Sequence, residues 1–251
     1  MKKLFLLGFL TLCSMAVYAQ ENVEFTADRP GASTGPSLVA PGVIQLEQGI
    51  QYDGDGGAGT FTFSNTLLRY GLFDAMELRL GGDWFLYQEA GASQRFKPAF
   101  SGLGVGTKIK CFDGQGAIPA VSVLADFAIP HTASQGFNTD CLAPSLYLLF
   151  ENPVNDKLSI GYNLGAEWDG SLPAPTTFAA LCFGIAATEN IGCFVESYNY
   201  FSKIGNVYAV DFGFNWMVGK KVQIDLAANL DLLNPSQCWS ISCGVAWQIN
   251  K

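Results

Sequence analysis

Between Lys157 and Trp168 the chain reads KLSIGYNLGAEW, with Leu158, Ile160, Tyr162, Leu164, Ala166 and Trp168 alternating against Lys157, Ser159, Gly161, Asn163, Gly165 and Glu167. A period of two held without error over this length predicts a β-strand with one apolar and one weakly polar face. The last three apolar segments repeat it: Tyr208, Val210, Phe212, Phe214 and Trp216; then Val222, Ile224, Leu226, Ala228, Leu230 and Leu232; then Trp239, Ile241, Cys243, Val245, Trp247 and Ile249. Extended along the chain, the alternation predicts twelve strands, near 42–52, 59–70, 74–87, 99–112, 117–128, 141–151, 157–168, 176–187, 190–200, 205–217, 220–232 and 237–249. Each is about the length a tilted strand needs to cross a bilayer, and longer than the five or six residues typical of globular sheets.

The connections sort into two kinds. GLF, DGQG, NPVND, TE and GK fall at every second link, and between them lie DGDGGAG, QEAGASQRFKP, IPHTASQGFNTD, DGSLPAP, FSKIG and NPSQ. Short turns on one rim and longer loops on the other are the asymmetry of an outer-membrane barrel, and the strands must close because hydrocarbon cannot satisfy an open sheet edge. The predicted fold class is therefore an all-β, transmembrane antiparallel β-barrel of about 12 strands.

Composition supports this inside-out arrangement. Charged residues make up 14% of the chain and aromatic ones 13%, against about 25% charge in soluble domains. The apolar face carries Trp, Phe, Tyr, Leu and Ile, while the other carries Gly, Ala, Ser, Asn and isolated acids. A water-facing soluble surface carries more Lys and Glu, so the weakly polar face reads as a hydrated lumen and the apolar face as the lipid side. Trp84, Tyr87, Trp168, Trp216, Trp239 and Trp247 fall near predicted strand ends, where amphipathic rings suit a membrane interface.

Residues 1–19, MKKLFLLGFLTLCSMAVYA, have the two lysines, apolar core and small residues of a secretory signal cleaved after Ala19. Removal of Lys2 and Lys3 leaves 12 of the 14 basic residues against 22 acidic ones, which argues against nucleic acid as a partner. The expected organisation is a signal peptide (1–19), a Pro/Gly-rich periplasmic segment (20–41) and an outer-membrane barrel (42–251). Cys111, Cys141, Cys182, Cys193, Cys238 and Cys243 form no CxxC pair, and Cys238 and Cys243 differ in strand parity, so they read as small strand residues. His131 is the single histidine, and no hydrolase, metalloprotease or phosphate-binding motif accompanies it. No enzyme activity, cofactor or metal is expected.

Charges on the polar face are the candidate pore-lining or constriction residues: Glu47, Arg69, Glu77, Arg79, Asp126, Glu167, Glu196, Asp211 and Asp225. ELR sets Glu77 and Arg79 on one face, where Arg69 of the preceding strand is a cross-strand partner. Such a set either biases which solute passes or forms a neutralising network that fills a narrow barrel.

The segment TADRPGASTGPSLVAPGVIQLEQG, from Thr26, precedes the first strand and is a poor helix or strand former. With LLRYGLFDAMELR, CFVESYNY and VDFGFNWMV it resembles the outer-membrane β-barrel family of the phenol-degradation meta-pathway transporters, found in envelope proteins of Bacteroidetes-like bacteria. The resemblance covers essentially the whole mature chain. It is carried by Asp28, Arg29, Pro30, Gly31, Gln45, Glu47, Arg69, Tyr70, Gly71, Glu77, Arg79, Phe194, Glu196 and Tyr198. It implies a Gram-negative outer-membrane channel or transporter for passive passage of small solutes, hydrophobic or aromatic ones among them, with a periplasmic amino terminus ordered through Asp28 and Arg29. The segment is expected to rest on the short-turn rim or to enter the lumen, whereas its composition alone fits a flexible spacer after the signal. Expected partners are outer-membrane lipid, the barrel-assembly machinery and the solute, although the chain ends WQINK instead of on an aromatic residue, with Trp247 the nearest substitute. The alternatives are a structural or surface-adhesion barrel without transport, and a secreted soluble β protein. Oligomeric state is not read from the sequence.

Overall fold

The computed structural model describes residues 25–88, 96–171 and 173–250. The predicted leader lies outside the described residues, as does the middle of the loop after Gln88. Thirteen strands follow one another: β1 (Ile44–Asp55), β2 (Ala58–Phe73), β3 (Met76–Gln88), β4 (Lys97–Phe100), β5 (Gly104–Gln115), β6 (Ile118–Ala128), β7 (Ala143–Asn155), β8 (Leu158–Glu167), β9 (Thr176–Ala186), β10 (Ile191–Phe201), β11 (Asn206–Val218), β12 (Val222–Asp231) and β13 (Cys238–Gln248). All strand pairings are antiparallel, and β1 pairs with β13 as well as β2, so the sheet closes on itself. Because β4 and β5 both pair with β3, the thirteen strands form twelve staves.

The predicted strand over 99–112 is thus two pieces. The ladder breaks at Ser101–Leu103, where Gly102 adopts φ 96°, and the β6–β7 loop supplies the missing partners. Thr132 Oγ1 accepts from Leu103 N at 2.9 Å, and Ser134 Oγ accepts from Phe100 N at 2.8 Å. Ser134 N donates back to Phe100 O at 3.0 Å. The apolar face shifts phase by one residue here, from Phe100 to Leu103, Val105 and Ile109, and the strand expected over 99–112 runs across that shift. In the opposite sense, the expected loop DGDGGAG contracts to a tight hairpin at Gly56 and Gly57, both at positive φ, the backbone that a two-residue turn joining twisted strands demands.

Burial is inverted relative to a water-soluble domain. Arg69, Lys108, Glu47, Glu77, Gln45 and Asp225 are buried, whereas Leu80, Leu146, Leu164, Leu181, Phe214, Trp216 and Ile241 are exposed. A band of large apolar side chains around a closed barrel with a charged interior places lipid outside and the polar groups within. Trp84, Trp216, Trp239 and Trp247 belong to that outer face. Tyr87 does not: it shares parity with Glu77, Arg79 and Phe85 on the inner face and packs edge-on to Phe137, with ring centroids 5.2 Å apart. Strand parity, not proximity to a strand end, decides its side.

Candidate functional site

Residues 25–41 carry no regular strand and lie inside the barrel. A chain without secondary structure must find partners for its peptide groups elsewhere, and here lumen side chains provide them. Gln45 Nε2 donates to Thr26 O at 2.6 Å, and Glu47 accepts from Asp28 N at 3.1 and 3.2 Å. Asn163 grips Thr34 from both sides, accepting from its N at 2.7 Å and donating to its O at 2.9 Å. Lys108 Nζ reaches Gly35 O at 3.0 Å and Ser37 O at 3.2 Å; Ser122 Oγ donates to Pro36 O at 2.6 Å; Glu77 accepts from Val39 N at 2.8 Å. On the far wall, Glu196 accepts from Ala32 N at 2.5 Å, from Ser33 N at 3.1 Å and from the Ser33 hydroxyl.

Asp28 is the hub of the charges. Its carboxylate meets three cations from three strands: Lys108 Nζ at 2.7 Å, Arg69 Nη1 at 3.3 Å and Arg79 Nη1. Arg69 is also clasped by Glu77, which accepts from Nε at 2.9 Å and Nη2 at 2.8 Å, and by Glu47 at 2.9 Å. The wall sets these three cations among Glu47, Glu77 and the more exposed Asp126, and Asp28 is the one carboxylate that meets all three cations. Buried ions are tolerated when paired in this way and costly when left uncompensated. Burial by itself raises the Asp28 carboxyl, but Arg69, Lys108 and Arg79 outweigh it and hold the group well below the ordinary carboxylate range. A depressed native value means that its contribution is present above the ordinary aspartate range and is lost only as pH falls through the native value.

Arg29 is anchored differently. Strand registers run Asp225, Gly244, Gly49, Asn65 across β12, β13, β1 and β2 on one row. The guanidinium bridges the ends of that row, donating to Asp225 at 3.1 and 3.3 Å and to Asn65 Oδ1 at 3.0 Å. The two glycines between are the space it occupies, since a Cβ at either would fall inside the guanidinium.

Of the charges expected in the lumen, Glu47, Arg69, Glu77 and Arg79 gather on Asp28, Asp225 takes Arg29, and Glu196 takes the Ala32–Ser33 peptides. Asp126 touches this group through Arg79 at 3.5 Å. Glu167 lies apart, accepting from the Tyr147 hydroxyl, and Asp211 sits opposite Glu196 on β11 without touching the segment. Pro30 and Gly31 form the bend between Arg29 and the Glu196 contacts. Lys108 was not singled out in the sequence, although its position against Glu77 in the β3–β5 register was a usable signal once strand order is known. Among the described residues no group of three or more His, Cys, Asp or Glu side chains is arranged to hold a metal.

Two cavities of about 400 Å3 each lie against the segment. The one toward the short-turn rim is bordered by Glu151, Ser159, Asn163 and Asn215, and the one toward the long-loop rim by Gln51, Asn65, Asp83 and Asp126. Asp28, Arg29, Pro30 and Gly31 border both.

A closed antiparallel barrel, charged within, apolar without and filled by its own amino-terminal segment, is a transmembrane β-barrel of the porin-like class. Residues 27–238 match the family described as "Putative MetA-pathway of phenol degradation", and the chain belongs to that family. Among curated proteins no sequence match was found. Among solved structures the chain is similar to an outer membrane channel from Pseudomonas putida F1, with TM-score 0.63, 11% identity, and 87% of this chain and 98% of that one covered. It is also similar to the KdgM porin in complex with disordered oligogalacturonate, with TM-score 0.56, 9% identity, and 82% and 99% covered. The NanC porin gives TM-score 0.56, 8% identity, and 81% and 100% covered. At these identities the likeness is one of fold.

Proposed function

We propose that this protein is an outer-membrane channel for passive passage of small solutes, hydrophobic or aromatic ones among them, and that its resting state is closed by Thr26–Val39. The observation that carries this reading is that Asp28–Gly31 border both lumen cavities. Whatever crosses the barrel along its axis passes this block, so displacement of the segment is the opening step. Family membership and the resemblance of the fold to channels and porins support the transport role, and the aromatic lining of the lumen suits an aromatic solute. The pore-lining set Glu47, Arg69, Glu77, Arg79, Asp126, Glu167, Glu196, Asp211 and Asp225 acts in two ways, the first four, Glu196 and Asp225 holding the segment and Asp126, Glu167 and Asp211 facing the solute. The long-loop rim faces the exterior, and residues 20–41 enter from the periplasm.

Deletion of residues 26–35 tests the proposal. In planar lipid the wild-type barrel is expected to show rare, small conductance steps, and the deleted barrel a persistent larger conductance with unchanged folded gel mobility. A deleted barrel that is inserted and folded yet electrically silent overturns the channel reading and leaves a structural or adhesion barrel.

A further inference from the structure

Four glycines stand together where β3 meets β5, beside the long-loop cavity, and three of them are there for want of room. A Cβ at Gly82 would meet Gly102 O at 2.7 Å, one at Gly106 would meet Ala125 O at 2.7 Å, and one at Gly81 would stand 3.0 Å from Thr66 O. Gly104 is different. It is paired with Gly81 on one side and Ala128 on the other, its φ is not positive, and a Cβ there would find nothing nearer than Gly81 O at 3.9 Å. Glycine inside a paired strand weakens it, and often marks a place where a ligand or another backbone comes close. Among the described residues no group approaches Gly104 from the lumen side; what lies over it is the cavity.

The ladder sets what surrounds this bare patch. Leu67, Gly81, Gly104 and Ala128 occupy one row across β2, β3, β5 and β6, with the lumen-facing parity of Glu77 and Lys108. The next row toward the long-loop rim brings Asn65 and Asp83, and the next toward the short-turn rim brings Arg79 and Asp126. All of these but Ala128 line the cavity, whose volume is about 410 Å3. The floor between the two polar rows is main chain, two strands wide, and Asp83 and Arg79, four residues apart on β3, set its length at roughly 13 Å. A flat ring fits on the peptide groups of Gly81 and Gly104, with Leu67 at its side and a hydroxyl at its edge within reach of Asp83 or Asp126. Both carboxylates have room for another donor: Asp83 takes Asn65 Nδ2 at 2.8 Å, and the Asp126 side chain is 36% exposed with Arg79 Nε 3.5 Å away. Farther out on the same face of β3, Phe85 packs edge-on to Phe137 with centroids 5.0 Å apart, so the approach from the long-loop rim is itself lined by rings.

We propose that this floor is a binding site for flat, single-ring compounds that carry a hydrogen-bond donor at the ring edge, and that Gly104 is the position that admits them. A side chain at 104 occupies the place of the ring without disturbing the ladder on either side. Strand stability is given up at this one position for the room that the solute needs. The role of the site in transport rests on the channel reading; the binding does not.

The test is calorimetric titration of the full-length barrel in detergent with benzyl alcohol and with cyclohexylmethanol, which carries the same hydroxymethyl group on a puckered ring. Partition into micelles favours the saturated alcohol, so it works against the expected order, in which benzyl alcohol binds more tightly. Gly104→Ala and Gly104→Val are expected to weaken benzyl alcohol in that order, by about tenfold for valine, the factor that loss of one apolar contact face carries. Their urea midpoints for unfolding are expected to match or exceed that of the wild type, because a Cβ in open space adds strand propensity and restricts the unfolded chain. Equal binding of the two alcohols by the wild type, or undiminished benzyl alcohol binding in a folded Gly104→Val barrel, overturns the inference. A lowered midpoint in Gly104→Ala overturns it as well, since the glycine is then a requirement of the fold. If the valine variant fails to fold, the alanine variant and the wild-type pair decide the matter. Benzyl alcohol preference in a barrel that stays silent after deletion of 26–35 sinks the channel reading and leaves this site; an open deleted barrel whose full-length parent shows no preference does the reverse.

Discussion

At the scale of single residues the molecule turns on Asp28. One carboxylate from outside the sheet meets Arg69, Arg79 and Lys108 together, and among the described residues of the segment no other acid reaches them. Asp28→Asn keeps the shape and removes the carboxylate that Arg69, Arg79 and Lys108 share. Loss of one partner from a buried ionic cluster costs on the order of 3–5 kcal/mol. The cost falls on the lodged state of the segment, because the barrel ladders are untouched. The expected result is an open fraction in planar lipid approaching that of the 26–35 deletion, with folded gel mobility retained; conductance indistinguishable from wild type would show that the backbone bonds alone hold the segment. Asp28 and Arg29 were legible as candidates because the DRPG block stands out in a Pro/Gly-rich stretch. Lys108 was not, since a lysine in TKIKCF looks like any strand charge until its row is known.

At the scale of elements, alternation is a reliable guide to parity and a poor one to continuity. It set every odd residue of β8 inward and Tyr208, Val210, Phe212, Phe214 and Trp216 of β11 outward, as the burial pattern has them. A one-residue shift of phase between Phe100 and Leu103 is all that marks the break in the stave opposite β3, and the bonds that mend it come from Thr132 and Ser134, some thirty residues away. Those two hydroxyls predict their own test. Thr132→Ala with Ser134→Ala removes two acceptors from strand amides, about 1 kcal/mol each, and the urea midpoint for unfolding in detergent is expected to fall accordingly. Substitution of Thr107, whose hydroxyl donates to Glu77 O within an intact ladder at 2.8 Å, is the comparison that separates a local repair from general loss of a hydroxyl.

At the scale of the whole molecule, closure and inversion go together. Apolar residues that line a core in water here cover the outside, and the interior is filled by ions and by a segment of the chain itself. The expected behaviour is recovery with the outer-membrane fraction and a gel mobility that changes on heating, as a closed barrel resists detergent until boiled. Recovery in the aqueous fraction without detergent contradicts the apolar outer band and revives the secreted soluble reading. The sequence by itself determined the strand period, the polar and apolar faces, and an even set of staves with alternating turn lengths, because side-chain alternation and turn chemistry are local properties. The tertiary structure alone decided that Thr26–Val39 lies within the lumen, that Arg29 fills the space over Gly49 and Gly244, and that Asp28 meets three cations from three strands. Those outcomes depend on registers between strands far apart in sequence, which no local pattern encodes.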